Sequence, residues 1–223
     1  MRYTIEGELA QVANLTLDEG ETCWASKGSI VALAPTLEWT LKVPGGASGA
    51  ARRMLSGEGL AMTFIRASAD GQWATLAANQ PGKIIPWSLD DGAVITTRGS
   101  FVAAFGSRVD IDVRVAKRAG AAFFGGAGLF LQHVSGSGTA LIHGSGDFVE
   151  HSLAERESLL VSTGNLAAFS DRVDYDIQGV AGCRRVAFGG EGLFMTRLTG
   201  PGRVLLQSLK RTVPGPRGRR QGS

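Results

Sequence analysis

Few residues in this chain are of types that could do chemistry, and their spacing decides what each could do. The histidines are His133, His143 and His151. A hairpin from Leu129 to His143, turning at Gly136-Ser137-Gly138, would place His133 near Ala140 and His143 near Phe130. The two imidazoles are then not cross-strand neighbours, and neither a metal pair nor a proton relay results. All three read as surface or rim histidines. The carboxylates Asp110 with Asp112, and Asp174 with Asp176, stand two apart and so share one strand face, a spacing that can hold a hard cation. Arg108 and Arg114 fall on the face of the first pair and Arg172 beside the second, so a salt-bridge-laced strand or a charged contact between subunits is expected instead.

Cys23 and Cys183 are isolated, without the CxxC spacing of a metal or redox site. Arg184 and Arg185 could lower the thiol pKa of Cys183, but no His or Asp partner is indicated, and a buried structural cysteine is expected. Ser137 lies between two glycines in an expected turn, not in the Gly-x-Ser-x-Gly elbow of a hydrolase. The glycine-rich strings run toward strands and lack a following Lys-Ser/Thr pair, so they do not read as phosphate loops. Their glycines suit a tight start to a β-hairpin, where a side chain would clash. No catalytic, cofactor-binding or metal-ligating residue is assigned, no cofactor is expected, and the protein is read as not an enzyme.

The elements that would carry these residues are strands. Glycine makes up 32 of 223 residues and proline only 7, beside 43% hydrophobic residues, which indicates many tight turns rather than disorder. Val109 to Val113 and Val173 to Ile177 alternate apolar and charged residues, as half-buried strands do. Glu150 to Leu160 is the best helical candidate, but it aligns with strand-like Pro86 to Val94 and is rejected.

That alignment comes from an internal repeat. Ser56-Gly57-Glu58-Gly59-Leu60, Gly125-Gly126-Ala127-Gly128-Leu129-Phe130 and Gly189-Gly190-Glu191-Gly192-Leu193-Phe194 place their last glycines at 59, 128 and 192. Each string leads through an apolar run to a turn, at Ala69-Asp70-Gly71, Gly136-Ser137-Gly138 and Gly200-Pro201-Gly202, and then to a second apolar run. A second motif keeps the same phase. Leu17-Asp18-Glu19-Gly20, Leu89-Asp90-Asp91-Gly92 and Leu153-Ala154-Glu155-Arg156 lead to Gly28, Gly99 and Gly164, each before an apolar strand. In this alignment Phe64, His133 and Arg197 are equivalent, and the first turn is two residues longer than the others. The chain is expected to be one all-β domain over residues 1–209. It comprises three β-sandwich-like units, about 1–80, 81–146 and 147–209, packed with pseudo-threefold symmetry.

The remaining residues, 210–223, include Lys210, Arg211, Arg217, Arg219 and Arg220 with no acid, and read as a basic disordered tail. Without them 18 basic residues face 20 acidic ones, so the body is not a nucleic-acid platform. No aromatics interleave with the tail's cations, and nucleic acid is not expected as a partner. The most apolar stretch, Ala119 to Leu131, is too short and too broken by glycine to span a bilayer. No secretory or transit segment leads the chain, and a reducing, cytoplasmic setting is expected.

Gly189 to Phe194, Gly200-Pro201-Gly202 and Leu205-Leu206-Gln207-Ser208-Leu209 together resemble the signature of the altered-inheritance-of-mitochondria protein 24 family. Pro81-Gly82-Lys83-Ile84 and Gly125 to Leu131 resemble the same pattern, and the likeness extends from residue 1 to about 210. It implies a β-fold similar to the tryptophan RNA-binding attenuation protein, three units per chain and self-association. It also implies bacterial, archaeal or mitochondrial kin, the fungal ones linked to inner-membrane organisation, and it carries over no catalytic residue. The expected function is a homo-oligomeric scaffold or binding protein, with a protein or a membrane surface as partner. The alternative is a small-ligand or sensor protein using clefts between units or subunits, its ligand unidentified.

Overall fold

A computed structural model describes residues 1–44, 61–115, 130–179 and 194–211. The three glycine-rich strings before Leu60, Phe130 and Phe194, Cys183 with Arg184 and Arg185, and the tail from 212 onward lie outside the described residues.

Seventeen strands and one three-residue 3-10 turn, Thr163–Asn165, make up the described elements, so the fold is all-β. The first stretch holds β1 (Arg2–Glu6), β2 (Val12–Leu17), β3 (Thr22–Ala25), β4 (Ile30–Leu33) and β5 (Glu38–Lys42). After it come β6 (Met62–Arg66), β7 (Gln72–Ala77), β8 (Gly82–Ser88), β9 (Val94–Thr97) and the two long strands β10 (Phe101–Val115) and β11 (Phe130–Ser145). The last stretch holds β12 (Phe148–Leu153), β13 (Ser158–Ser162), β14 (Leu166–Ser170), β15 (Asp174–Gly179), β16 (Phe194–Thr199) and β17 (Gly202–Gln207). The rejected helix Glu150 to Leu160 is divided between β12 and β13.

Three sheets form from antiparallel ladders. One runs β1-β2-β7-β4 and one β13-β16-β15. The large one runs β12-β17-β14-β9-β11-β10-β3-β6-β5, with β8 also on β11. Alternation explains why the strands bury one face: Ala13, Leu15 and Leu17 of β2 point inward between half-buried neighbours. They meet Cys23, Ile65, Ala74, Leu76 and Phe105 in the first of three apolar clusters. The second gathers around Trp87, Phe101, Val134 and Ile142, and the third around Phe169, Leu166, Leu198 and Val204.

The ladders differ from the expected hairpins. The runs flanking Ala69-Asp70-Gly71 do not pair with each other: β6 pairs β3 and β5, while β7 pairs β2 and β4. Likewise β16 pairs β13 and β15, whereas β17 pairs β12 and β14. These turns carry the chain from one sheet to another. The expected turn at Gly136-Ser137-Gly138 is not a turn at all, because β11 runs straight through it against β10. Consequently His133 lies opposite Asp112 and Ile95, not near Ala140, and His143 lies opposite Ile84, not near Phe130.

The physical reason is crowding. The β10–β11 ladder shifts register between Phe105 and Arg108, and Gly106, Gly136 and Gly138 sit at that crease. A Cβ on Gly138 would stand 2.2 Å from the Phe105 carbonyl oxygen, and one on Gly136 would stand 2.1 Å from that of Arg108. With φ of +141° and +124° these two residues let both backbones bend together from one sheet into the next.

A similar irregularity recurs three times. The β4–β7, β10–β11 and β14–β17 ladders each skip one residue near their start, between Ile30 and Ala32, Phe101 and Ala103, and Leu166 and Ala168. The large sheet is continuous because β3 pairs β10 and β9 pairs β14. A closed pseudo-threefold arrangement would require a third such junction, between β13 and β4. Among the described residues those two strands do not pair.

Candidate functional site

The most concentrated polar chemistry among the described residues lies where the β9–β10 turn, the end of β11 and the chain after β17 meet. Thr97-Arg98-Gly99-Ser100 forms the turn, closed by the Ser100 N–H donating to the Thr97 carbonyl at 3.0 Å. The His143 N–H donates to the Ser100 carbonyl at 2.7 Å, which fixes β11 beside the turn. His143 is 1% exposed, so it is a core residue and not the rim histidine expected from the sequence.

Into this corner comes Arg211, assigned by sequence to the disordered tail. The Ser208 N–H donates to the Asp147 carbonyl, the Leu209 N–H to that of Ser145 and the Arg211 N–H to that of Gly164. These bonds lay the arm over Gly164, where a Cβ would come within 2.7 Å of Lys210 Cγ, and over Gly99, where one would come within 3.2 Å of the Arg211 guanidinium. Only residues 212–223 of the expected tail lie beyond this docked arm.

The guanidinium donates to neutral acceptors on every side. Its Nη1 reaches the Arg98 carbonyl at 2.9 Å and Ser100 Oγ at 2.8 Å. Its Nη2 reaches His143 Nδ1 and Ser145 Oγ, both at 3.1 Å, and Nε reaches Gln80 Oε1 at 3.3 Å. Ser145 Oγ in turn donates to Gln80 Oε1 at 2.7 Å. No carboxylate takes part in these bonds, and burial pushes the Arg211 pKa down to about 10. Burial first, and the Arg211 charge second, push that of His143 down to about 4, with the Gln80 backbone acting in the opposite sense.

Because Arg211 occupies Nδ1 as a donor, His143 is neutral with its proton on Nε2. That nitrogen is buried against the Gln80–Gly82 backbone, where a Cβ on Gly82 would come within 2.8 Å of it. The ring therefore cannot act as a base toward Ser100 or Ser145, and the cluster positions chain segments instead of activating a nucleophile. A neutral folded imidazole also makes stability depend on pH. The unfolded chain takes up a proton below about 6.5 and the folded one only near 4, so stability should fall as pH drops through that window. The full effect is roughly 3 kcal/mol. Urea midpoints measured between pH 7 and 4.5 should show this slope, and His143→Gln should flatten it.

The other sequence candidates lie apart from this cluster. Arg108 Nε donates to Asp110 Oδ2 at 2.9 Å on an exposed face. Asp176 lies opposite Arg197 in register, and Asp174 opposite Thr199. His133 Nε2 stands 3.7 Å from Asp171 Oδ2. His151 is half-buried on β12 opposite Val204. Cys23 is fully buried and its thiol is pushed up to about 12 by desolvation, so it is unreactive at neutral pH. Among the described residues no three His, Cys, Asp or Glu side chains converge as a metal site, and no helix is long and apolar enough to cross a membrane.

Comparison with known proteins gives the fold and the lineage. No curated protein matches the sequence. The crystal structure of a Streptococcus pyogenes protein superposes with a TM-score of 0.77 at 26% identity, covering 94% of each chain. The family model described as Mitochondrial biogenesis AIM24 matches residues 3–209, that is, every described strand but for the first residue of β1. The chain belongs to that family, the one its Gly189 to Leu209 motifs resemble.

Proposed function

We propose that the protein is a non-enzymatic, self-associating β-scaffold or binding protein of the cytoplasm, built from three tandem copies of one unit. The tryptophan RNA-binding attenuation protein is the architectural parallel, and a protein or a membrane surface is the further partner. The observation that carries this reading is the position of the large exposed apolar side chains. Of eight such side chains among the described residues, Leu9 and Leu209 lie off the strands, whereas Val31, Trp39, Leu41, Trp73, Val149 and Leu160, each about half exposed or more, lie on them. Apolar groups held on regular sheet suit a contact surface. The recurring ladder irregularity near the start of β4, β10 and β14 supports the triplication. The half-buried Arg211 and its cluster fit a structural role, because the guanidinium's donors are already used within the chain.

A second reading, a small-ligand or sensor protein with a cleft between units, has one observation in its favour. Thr96 Oγ1 is buried without a hydrogen-bond partner on β9, where the second and third units meet. Native mass spectrometry of freshly purified protein, set against its denatured mass, separates the two. A discrete multiple of 23.3 kDa without added mass is the expected result. Extra non-covalent mass would favour the ligand reading, and a bare monomer would contradict self-association.

A further inference from the structure

Among the described residues, two sheet edges are left unpaired in a way that makes them fit each other. Inside the chain the same kind of edge is joined twice. In the first junction β3 meets β10, with Ala25 opposite Ala103, Trp24 opposite Ala104 and Cys23 opposite Phe105. In the second β9 meets β14, with Thr96 opposite Ala168, Ile95 opposite Phe169 and Val94 opposite Ser170.

The ladders within each unit show which residues would make a third. Trp24, Ile95 and Leu160 lie opposite Phe64, His133 and Arg197, three positions equivalent in the repeat. Ala32, Ala103 and Ala168 each stand just past the skipped residue. The counterpart of the joined edges is therefore β13 facing β4, with Val161 opposite Ala32, Leu160 opposite Leu33 and Leu159 opposite Ala34.

Burial follows the same logic. Val102 and Ala167, which lie at the two formed junctions, are 0% exposed, whereas their equivalent Val31 is 60% exposed. Ile95 is 2% exposed, whereas its equivalent Leu160 is 53% exposed. A hydroxyl marks the joint as well. Ser26 Oγ donates to the Phe101 carbonyl across the first junction, and Thr97 Oγ1 to the Leu166 carbonyl, at 2.8 Å, across the second. Ser162 is the third member of that set. Its acceptor by the same rule is the carbonyl of Ile30.

We propose that β13 of one chain adds to β4 of a second copy, in the register of the two internal junctions, so that copies join head to tail. This rests on the self-association reading and specifies its surface. One chain presents two different edges, so the contact is heterologous and builds a closed ring or a filament instead of a symmetric dimer. Ladder hydrogen bonds would supply affinity. The burial of Val31, Leu33 and Leu160 would supply specificity.

Two substitutions test it without threatening the fold, because both side chains are more than half exposed. Val31→Lys blocks the β4 edge and Leu160→Lys the β13 edge. Each places an unpaired charge in the joint and should weaken assembly by about 100-fold or more. Each variant alone should be monomeric by native mass spectrometry and sedimentation. Mixed, with one isotopically labelled, they should form a one-to-one heterodimer and nothing larger. In that complex the intact β13 of Val31→Lys meets the intact β4 of Leu160→Lys. If the wild type assembles and the variants assemble equally, or if the mixture gives no heterodimer, the edge pairing is wrong while self-association stands. A monomeric wild type would overturn both.

Discussion

Replacing Gly138 with alanine should cost roughly 4 kcal/mol or more and leave little folded protein at 37 °C. The added Cβ would meet the Phe105 carbonyl oxygen at 2.2 Å and Gly106 Cα at 2.6 Å, all backbone atoms of the paired strand. Neither strand yields easily, because β11 is held by β8 on one side of the crease and by β9 on the other, while β10 is held by β3 up to Phe105. Gly71, its sequence equivalent, provides the contrast. It has φ of +71° but nothing within 4 Å of an added Cβ, so Gly71→Ala should cost only about 1 kcal/mol. Urea denaturation of the two variants checks the pair. Similar losses would mean that β11 turns at Gly136-Ser137-Gly138 after all.

The second large effect is expected at Arg211. Arg211→Ala removes donors from Gln80, Arg98, Ser100, His143 and Ser145 together, and the last three of these are buried. Relief from burying an uncompensated charge offsets part of this, and a net loss of about 2–3 kcal/mol is expected. Arg211→Lys should not restore it, since one ammonium cannot reproduce a planar fork with five N–H groups. Lys210→Ala, one residue away but outside the network, should change stability by less than about 0.5 kcal/mol. Thermal melts of the three variants give the ranking. His143 adds an independent readout: without the neighbouring charge its pKa should rise from about 4, visible by NMR titration.

Strand content was readable from local pattern. The alternation from Val109 to Val113 and from Val173 to Ile177 became β10 and β15, and phase matching of Glu150 to Leu160 against Pro86 to Val94 separated strand from helix. Strand pairing was not readable. An apolar run, a turn and another apolar run describe a hairpin and a sheet-switching corner equally well, because both bury one face of each run. Only the long-range ladders distinguish them, and those place β6 and β7 in different sheets. The glycines at 136 and 138 carry the same ambiguity: they serve a turn or a crowded crossing with the same lack of Cβ.

The polar cluster was illegible for a related reason. The histidines read as rim residues from their spacing, which says nothing of burial, and this part of β11 is buried on both faces. Arg211 lies in a segment whose composition signals disorder. Its partners, at 80, 98, 100, 143 and 145, are distant in sequence and gathered only by the β9–β10 turn and the end of β11. No local pattern encodes such a site. The unequal exposure of Val31, Val102 and Ala167 was equally hidden, because the repeat read from the sequence would make them alike, whereas among the described residues only the latter two lie at formed junctions.

Hydrogen–deuterium exchange of the wild-type chain, followed as protein concentration rises, reports on both edges at once. If copies join through β4 and β13, amides of Ile30–Leu33 and Ser158–Ser162 should gain protection together, while those of β5 and β12 stay unchanged. Protection that arises elsewhere, or in only one of the two strands, would contradict head-to-tail edge pairing.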